Sequence, residues 1–271
     1  MLYKQNLHQH STYDDGKDAP EQVILAAIEK GFDSIGFSGH SYMYWVENIS
    51  MTLEGTEQYK KEVASLKEKY ADKIKVFCGL EVDVFSEIDL SGYDYLIGSL
   101  HYLKTGGEIV GIDRSKEVVQ GVIDNYFGGD ALKCAAKYYE HMSELYKYGN
   151  FDIIGHFDLI AKHNETAGFF DENSKEYKSL VLGAMESLRG KIPFFEVNTG
   201  GISRGYRTRP YPNEFIVKSF KDMGFGAIIS SDCHDKNYLD IAFKESEELL
   251  KSCGYNEIYV LTETGFEPTK I

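Results

Sequence analysis

Apolar-rich stretches with strand character recur along the chain, separated by segments patterned as amphipathic helices. This alternation constrains the fold more than any other feature, because it is the pattern of parallel βα units. The strand candidates run through Tyr3–Gln9, Asp33–Gly39, Lys75–Val82, Tyr93–Leu100, Phe151–His156, Pro193–Thr199 and Gly226–Ser231. Between them lie helical segments such as PEQVILAAIEKG, with Pro20 at its start and Gly31 beyond its end, and TEQYKKEVASLKEKYADK, ALKCAAKYYEHMSELYKYG, NSKEYKSLVLGAMESLRG and LDIAFKESEELLKSCG. No linker, low-complexity tract or charge block divides the sequence, so residues 1–271 are expected to form a single α/β domain. A length of 271 residues suits this, since single α/β barrels of about 250 residues are common.

The strand ends carry the chemistry. They hold His8 and His10, His40, Glu81, His101, His156, Glu196 with Asn198, and Asp232 with His234. Six of the eight histidines stand at these positions. Parallel strands of a barrel bring their carboxyl ends to one face, so these residues are expected around one pocket. Imidazole nitrogen and carboxylate oxygen are transition-metal ligands. A lone histidine at a strand end is usually a hydrogen-bonded structural residue, but so many coordinated choices reverse that reading. Period-two alternation sends His8 and His10 to one side, and Asp232 with His234 to one side, while Gln9 and Cys233 point away. Asp15, five residues after His10, can fold back toward the same face, with Asp14 as the competing choice. His141 is expected on a solvated helix surface. His163 follows its strand too late for a ligand and is placed at most at the pocket rim, and Tyr42, Tyr44 and Trp45 read as loop packing, with lining of the substrate as the alternative.

Subtracting 43 acidic from 29 basic residues gives a net charge of −14, which disfavours nucleic acid and anionic membrane surfaces. A phosphate site in such a chain needs local cations. Arg204, Arg207 and Arg209, after the sixth strand, supply them, and Arg204 and Arg207 are the expected phosphate contacts. Metals together with arginines suggest phosphate-ester hydrolysis. The segment Gly201-Ile202-Ser203-Arg204-Gly205 matches the serine-hydrolase elbow G-x-S-x-G, but RGYRTRPYP follows where a helix should start. No P-loop, dinucleotide-binding or HExxH pattern occurs. The four cysteines form no CxxC pair, no apolar run reaches membrane-span length and the N-terminus lacks a secretory core, so a cytoplasmic protein with reduced thiols is expected.

NLHQHSTYDDG, FSGH, GLEVD, GSLHY, GHFDL and SSDCH together resemble the signatures of the PHP family, the polymerase and histidinol phosphatase superfamily, over nearly the whole chain. EVNTGGISRGYRTRPYP is similar to the histidinol-phosphatase branch in particular. The sequence departs from the family pattern at Asn6, where Asp is usual, and at Gly39, where Asp or Glu is usual. The resemblance implies a distorted (β/α)7 barrel, TIM-barrel-like, and three divalent transition-metal ions, Zn, Fe or Mn. It implies one ion on His8, His10, Glu81 and Asp232, a second on the bridging Glu81 with His101 and His156, and a third on Asp15, His40 and His234. The implied reaction is hydrolysis of a small phosphorylated metabolite, L-histidinol phosphate, in histidine biosynthesis. Glu81, Asp232 and His234 would be catalytic, with Asp232 or His234 serving the leaving alkoxide. A phosphodiesterase, a tyrosine-phosphate phosphatase and a non-catalytic metal-binding module are the competing functions.

Overall fold

The computed structural model describes residues 3–271 and contains all seven expected strands, each within its expected stretch or extending it by one residue. They are β1 (Gln5–Asn6), β2 (Ser34–Phe37), β3 (Lys75–Asp83), β4 (Tyr95–Ser99), β7 (Ile153–Ile154), β8 (Phe194–Asn198) and β9 (Gly226–Ser230). Two strands of an unanticipated hairpin, β5 (Tyr102–Thr105) and β6 (Glu108–Gly111), follow β4. The seven form one sheet in the order β1-β2-β3-β4-β7-β8-β9, parallel throughout. The sheet curls until its edges meet beyond β1 and β9. There the His10 N–H donates to Cys233 O at 3.0 Å and the Cys233 N–H to His8 O at 3.1 Å. Lower down, side chains of β1 make the connections. Gln5 bonds both backbone groups of Leu261, and Asn6 donates to Ser231 Oγ at 2.6 Å while accepting the Ser231 and His8 N–H groups. The barrel is thus closed at its top and distorted below.

The crossover helices are α1 (Pro20–Glu29), α2 (Leu53–Lys69), α3 (Lys116–Phe127), α4 (Ala131–Ser143), α6 (Lys175–Leu188), α8 (Glu214–Met223) and α9 (Phe243–Ser252), with short turns α5 (Asn164–Ala167) and α7 (Gly200–Ser203). Their starts follow local chemistry. Pro20 opens α1, where an N–H would go unused, and Thr52, Ser115, Asp130, Ser174 and Asn213 each cap a helix by accepting a backbone N–H. Among the described residues no helix is long and apolar enough to cross a membrane. One apolar layer lies between strands and helices. A second fills the barrel below its upper rim: Leu7, Phe77, Tyr95, Ile97, Ile153, Ile228 and Leu261. Tyr95 reaches across this interior to the carbonyl of Phe37 at 3.1 Å. A Cβ at Gly79 would stand 2.3 Å from the Tyr95 ring and one at Gly36 2.4 Å from its hydroxyl, so both positions must lack side chains. A final hairpin, β10 (Glu257–Thr262) and β11 (Gly265–Lys270), brings Leu261, Tyr259 and Phe266 against the lower end.

On β3, period two sends Phe77, Gly79 and Glu81 inward in turn. The interior therefore changes from apolar to ionisable along one strand, and Glu81 and Glu196 stand at the top of the barrel, 1% and 0% exposed.

Candidate metal centre

Glu81 is the hub. Its Oε1 lies 3.0 Å from His156 Nε2, 3.3 Å from His8 Nε2 and 3.4 Å from His101 Nε2. Its Oε2 lies 2.8 Å from His40 Nδ1 and 3.8 Å from His10 Nε2. The same His10 Nε2 lies 3.2 Å from Asp232 Oδ1, and Asp15 Oδ1 is 3.1 Å from His234 Nε2. All nine residues expected as ligands therefore converge, although they come from the ends of different strands. Asp232 sits there with a left-handed backbone, φ +46°, a conformation rare for residues other than glycine and typical of functional sites.

The donor set suits divalent cations. Three groups, His10/Asp15/His40/His234, His8/His10/Asp232 and His40/Glu81/His101, each offer ligand atoms within 4.8 Å of one another. The buried Nε2 atoms of His8 and His10 and Oε2 of Glu81 make no hydrogen bond. Burial alone would lower the histidine pKa values, yet Glu196, Glu81 and Asp232 raise that of His8 well above normal, and Asp14 and Asp232 push His10 up to about 10. Burial would likewise raise Glu81 and Asp232; imidazoles hold Glu81 far below the usual carboxylate range, and Arg204 and His8 do the same for Asp232. A carboxylate field that attracts protons this strongly attracts divalent cations too.

Behind the candidate ligands stands a second set of carboxylates. Glu196 accepts from the His156 N–H at 2.7 Å and from Asn198 Nδ2 at 2.8 Å and lies 2.9 Å from His8 Nδ1. Asp83 accepts the His101 N–H at 2.9 Å and faces His101 Nδ1 at 3.4 Å. Such partners fix which imidazole nitrogen is presented to a metal. Glu196 is among the strand-end residues legible in the sequence and Asp83 is not, although period two places it on the same face of β3 as Glu81.

A cavity of about 220 Å³ opens over the cluster. Arg204 lines it, with Nη2 donating to Asp232 Oδ2 at 3.0 Å and Nη1 2.8 Å from His234 Nδ1. Arg207 does not. It was expected beside Arg204, but its side chain is fully buried, with Nη1 3.4 Å from Asp158 Oδ2, Nε 3.6 Å from Glu165 Oε1 and the guanidinium over the Tyr211 ring. The loop reverses at Gly205 and turns Arg207 inward, where Asp158, held by burial above the ordinary carboxyl range, takes its charge. Arg209 forms surface pairs with Glu165 and Glu172.

The remaining cations come from residues passed over in the sequence: Lys162, shortly after the GHFDL segment, and Arg114, just after the unanticipated hairpin. Lys162 lies 4.5 Å over the Tyr206 ring and donates to the Asp113 carbonyl. The loop bearing Tyr42, Tyr44 and Trp45 lines the cavity through Met43 and Ile49, while Trp45 packs on Tyr102. His141 is buried rather than solvated, its Nε2 3.3 Å from both the amide and the carbonyl of Lys104. His163 packs on Tyr206 at the cavity wall. Cys233 turns away and donates to Asp235 O. Ser203 ends α7 with its hydroxyl donated to Gly200 O.

The model of the PHP domain matches residues 6–200 of this chain. The chain belongs to the PHP domain family. Among relatives of this PHP domain, a Schizosaccharomyces pombe protein named "Probable histidinol-phosphatase" is 25% identical over 260 residues, covering 89% of this chain and 83% of its own length. The histidinol-phosphatase of Lactococcus lactis is 23% identical over 282 residues, covering 99% and 98%. A crystal structure of the histidinol phosphate phosphatase of Lactococcus lactis, complexed with zinc, L-histidinol and phosphate, superposes with a TM-score of 0.73 at 20% identity, covering 97% of this chain and 98% of that chain. That likeness establishes the shared barrel.

Proposed function

We propose that this PHP domain, acting as one domain over residues 1–271, hydrolyses L-histidinol phosphate to L-histidinol and phosphate. The observation that carries the reading is the cavity itself: one wall is a cluster of imidazoles and carboxylates around Glu81, and Arg204 and Lys162 face the same space. The names of the relatives, and the zinc, L-histidinol and phosphate in the Lactococcus lactis structure, support the substrate. Three divalent ions, Zn, Fe or Mn, would be held by His8, His10, Glu81 and Asp232; by Glu81, His101 and His156; and by Asp15, His40 and His234. Such ions, when bound, lower the pKa of water and polarise phosphoryl oxygens.

The chain's own groups do the rest. Arg204 and Lys162 offset the charge spread over the phosphoryl oxygens, in a protein whose net charge of −14 would otherwise repel them. Arg204 keeps Asp232 ionised, so the proton that Asp232 passes to the leaving alkoxide is first taken from the attacking water. His234, 3.5 Å from Asp232 Oδ1 through Nδ1, is the alternative carrier. The walls formed by Met43, Ile49, Tyr102 and Tyr206 offer flat and apolar surface to a substrate ring. Four free cysteines fit a cytoplasmic enzyme in a histidine-biosynthetic setting.

A screen of phosphorylated metabolites for released phosphate, with the metals varied, tests the reading. Histidinol phosphate should be preferred by a wide margin over bis(p-nitrophenyl) phosphate and over a tyrosine-phosphate peptide. Hydrolysis of the diester with histidinol phosphate untouched would replace the proposal by a phosphodiesterase, and no release at any metal loading would leave a metal-binding module.

A further inference from the structure

Asp14 is the neighbour of a candidate ligand, yet it faces a different way. Asp15 reaches His234 and His40, whereas the Asp14 carboxylate is completely enclosed. Oδ2 lies 2.6 Å from His10 Nδ1 and accepts the His40 N–H at 2.9 Å; Oδ1 accepts the Ser11 N–H at 2.8 Å. One side chain thus ties together the chain leaving β1 and the chain leaving β2, the segments that carry His10 and His40. His10 turns its other nitrogen, Nε2, to Asp232 and Glu81.

Position 39 is what lets this carboxylate in. A Cβ built on Gly39 would stand 3.0 Å from Asp14 Oδ2, 3.1 Å from Cγ and 3.3 Å from Oδ1. Gly39 has no positive φ, so its backbone conformation does not require glycine. The missing side chain supplies room, and a carboxylate attached at residue 39 would project into the volume that Asp14 fills from the other side.

We infer that Asp14 is a positioning residue for the metal centre, orienting His10 through Nδ1, and that Asp14 and Gly39 form an exchangeable pair, one carboxylate being deliverable to that volume from either position but not from both. A carboxylate on Nδ1 fixes the tautomer that presents Nε2 to a metal and raises the ligand's basicity. The inference rests on the metal reading given above.

The test is a cycle of Asp14→Ala, Gly39→Asp and the double variant D14A/G39D, read by chelator competition for zinc and by the ¹⁵N chemical shifts of the His10 ring. Asp14→Ala should weaken zinc binding by about tenfold to hundredfold, the usual scale for losing a carboxylate behind a metal-binding histidine. Gly39→Asp alone should also weaken it, because two carboxylates collide. The double variant should bind better than either single variant and restore the His10 tautomer, a sign reversal that independent sites do not produce. Asp14→Asn, which keeps the shape without the charge, guards against misfolding and should fall between Asp14→Ala and the parent protein. A double variant no better than Asp14→Ala overturns the exchange, and unchanged affinity in Asp14→Ala overturns the positioning role. If the parent protein takes up no divalent metal, the metal reading falls and this inference with it.

Discussion

Arg204 touches Asp232 and His234 at the cavity, while three residues later Arg207 is sealed against Asp158 and Glu165. The two arginines should therefore fail in different assays. Arg204→Lys keeps charge but loses the planar fork, and should lower kcat/KM for histidinol phosphate by tenfold to a hundredfold, matching roughly 1.5–3 kcal/mol for one charge-assisted bond, with stability near that of the parent protein. Arg207→Met strands a buried Asp158, and should cost about 3–5 kcal/mol in a denaturant titration while leaving KM nearly unchanged. A raised KM in Arg207→Met with an unmoved denaturation midpoint would mean that Arg207 reaches substrate after all.

At the level of elements, the interior of the barrel tolerates Tyr95 only because β2 and β3 offer glycines opposite it. Gly79→Ala places a methyl group 2.3 Å from that ring, so it should destabilise the fold by about 1–3 kcal/mol, read as a lower urea midpoint at an unchanged slope. An unaffected midpoint would show that the ring has somewhere else to go. Helix α4 carries a different sensitivity. Burial, reinforced by Lys137, lowers the pKa of His141, which packs edge-on against Phe85. The unfolded chain then takes up this proton more readily than the folded one, so the contribution of neutral His141 is present above about pH 6.5 and is lost as pH falls through its depressed folded value. The difference in Tm between the parent protein and His141→Gln should narrow or change sign as pH drops from neutral toward 5. A pH-independent difference would contradict the burial of His141.

For the molecule as a whole, the candidate ligands close the top of the barrel that β1 and β9 form with side chains as much as with backbone. Metal bound there favours the folded state by mass action, by about 4 kcal/mol at a free concentration a thousand times Kd. Thermal melts with and without chelator should therefore differ by several degrees in the parent protein and by little in Glu81→Ala, whose carboxylate faces five imidazoles. The same variant should retain less than about 1% of turnover. Full activity and an undiminished chelator effect in Glu81→Ala would remove the hub from the site.

The parallel βα order and the convergence of His8, His10, His40, Glu81, His101, His156, Asp232 and His234 are legible in the chain's own pattern, because a strand's period of two and its direction are local properties that survive in any barrel. The Gly106–Gly107 turn of the hairpin, with both residues at positive φ, is likewise a local signal, a Gly-Gly pair between alternating residues. The closed barrel alone turns Asp15 to the cavity and encloses Asp14 beside His10, brings Lys162 and Arg114 to the cavity, and draws Arg207 and His141 inside. Each of those side chains leaves a loop or a helix face in a direction set by partners far away in the chain: Gly39 for Asp14, Asp158 for Arg207, Lys104 and Phe85 for His141. Local periodicity carries no record of such partners, since they become neighbours only when the sheet closes.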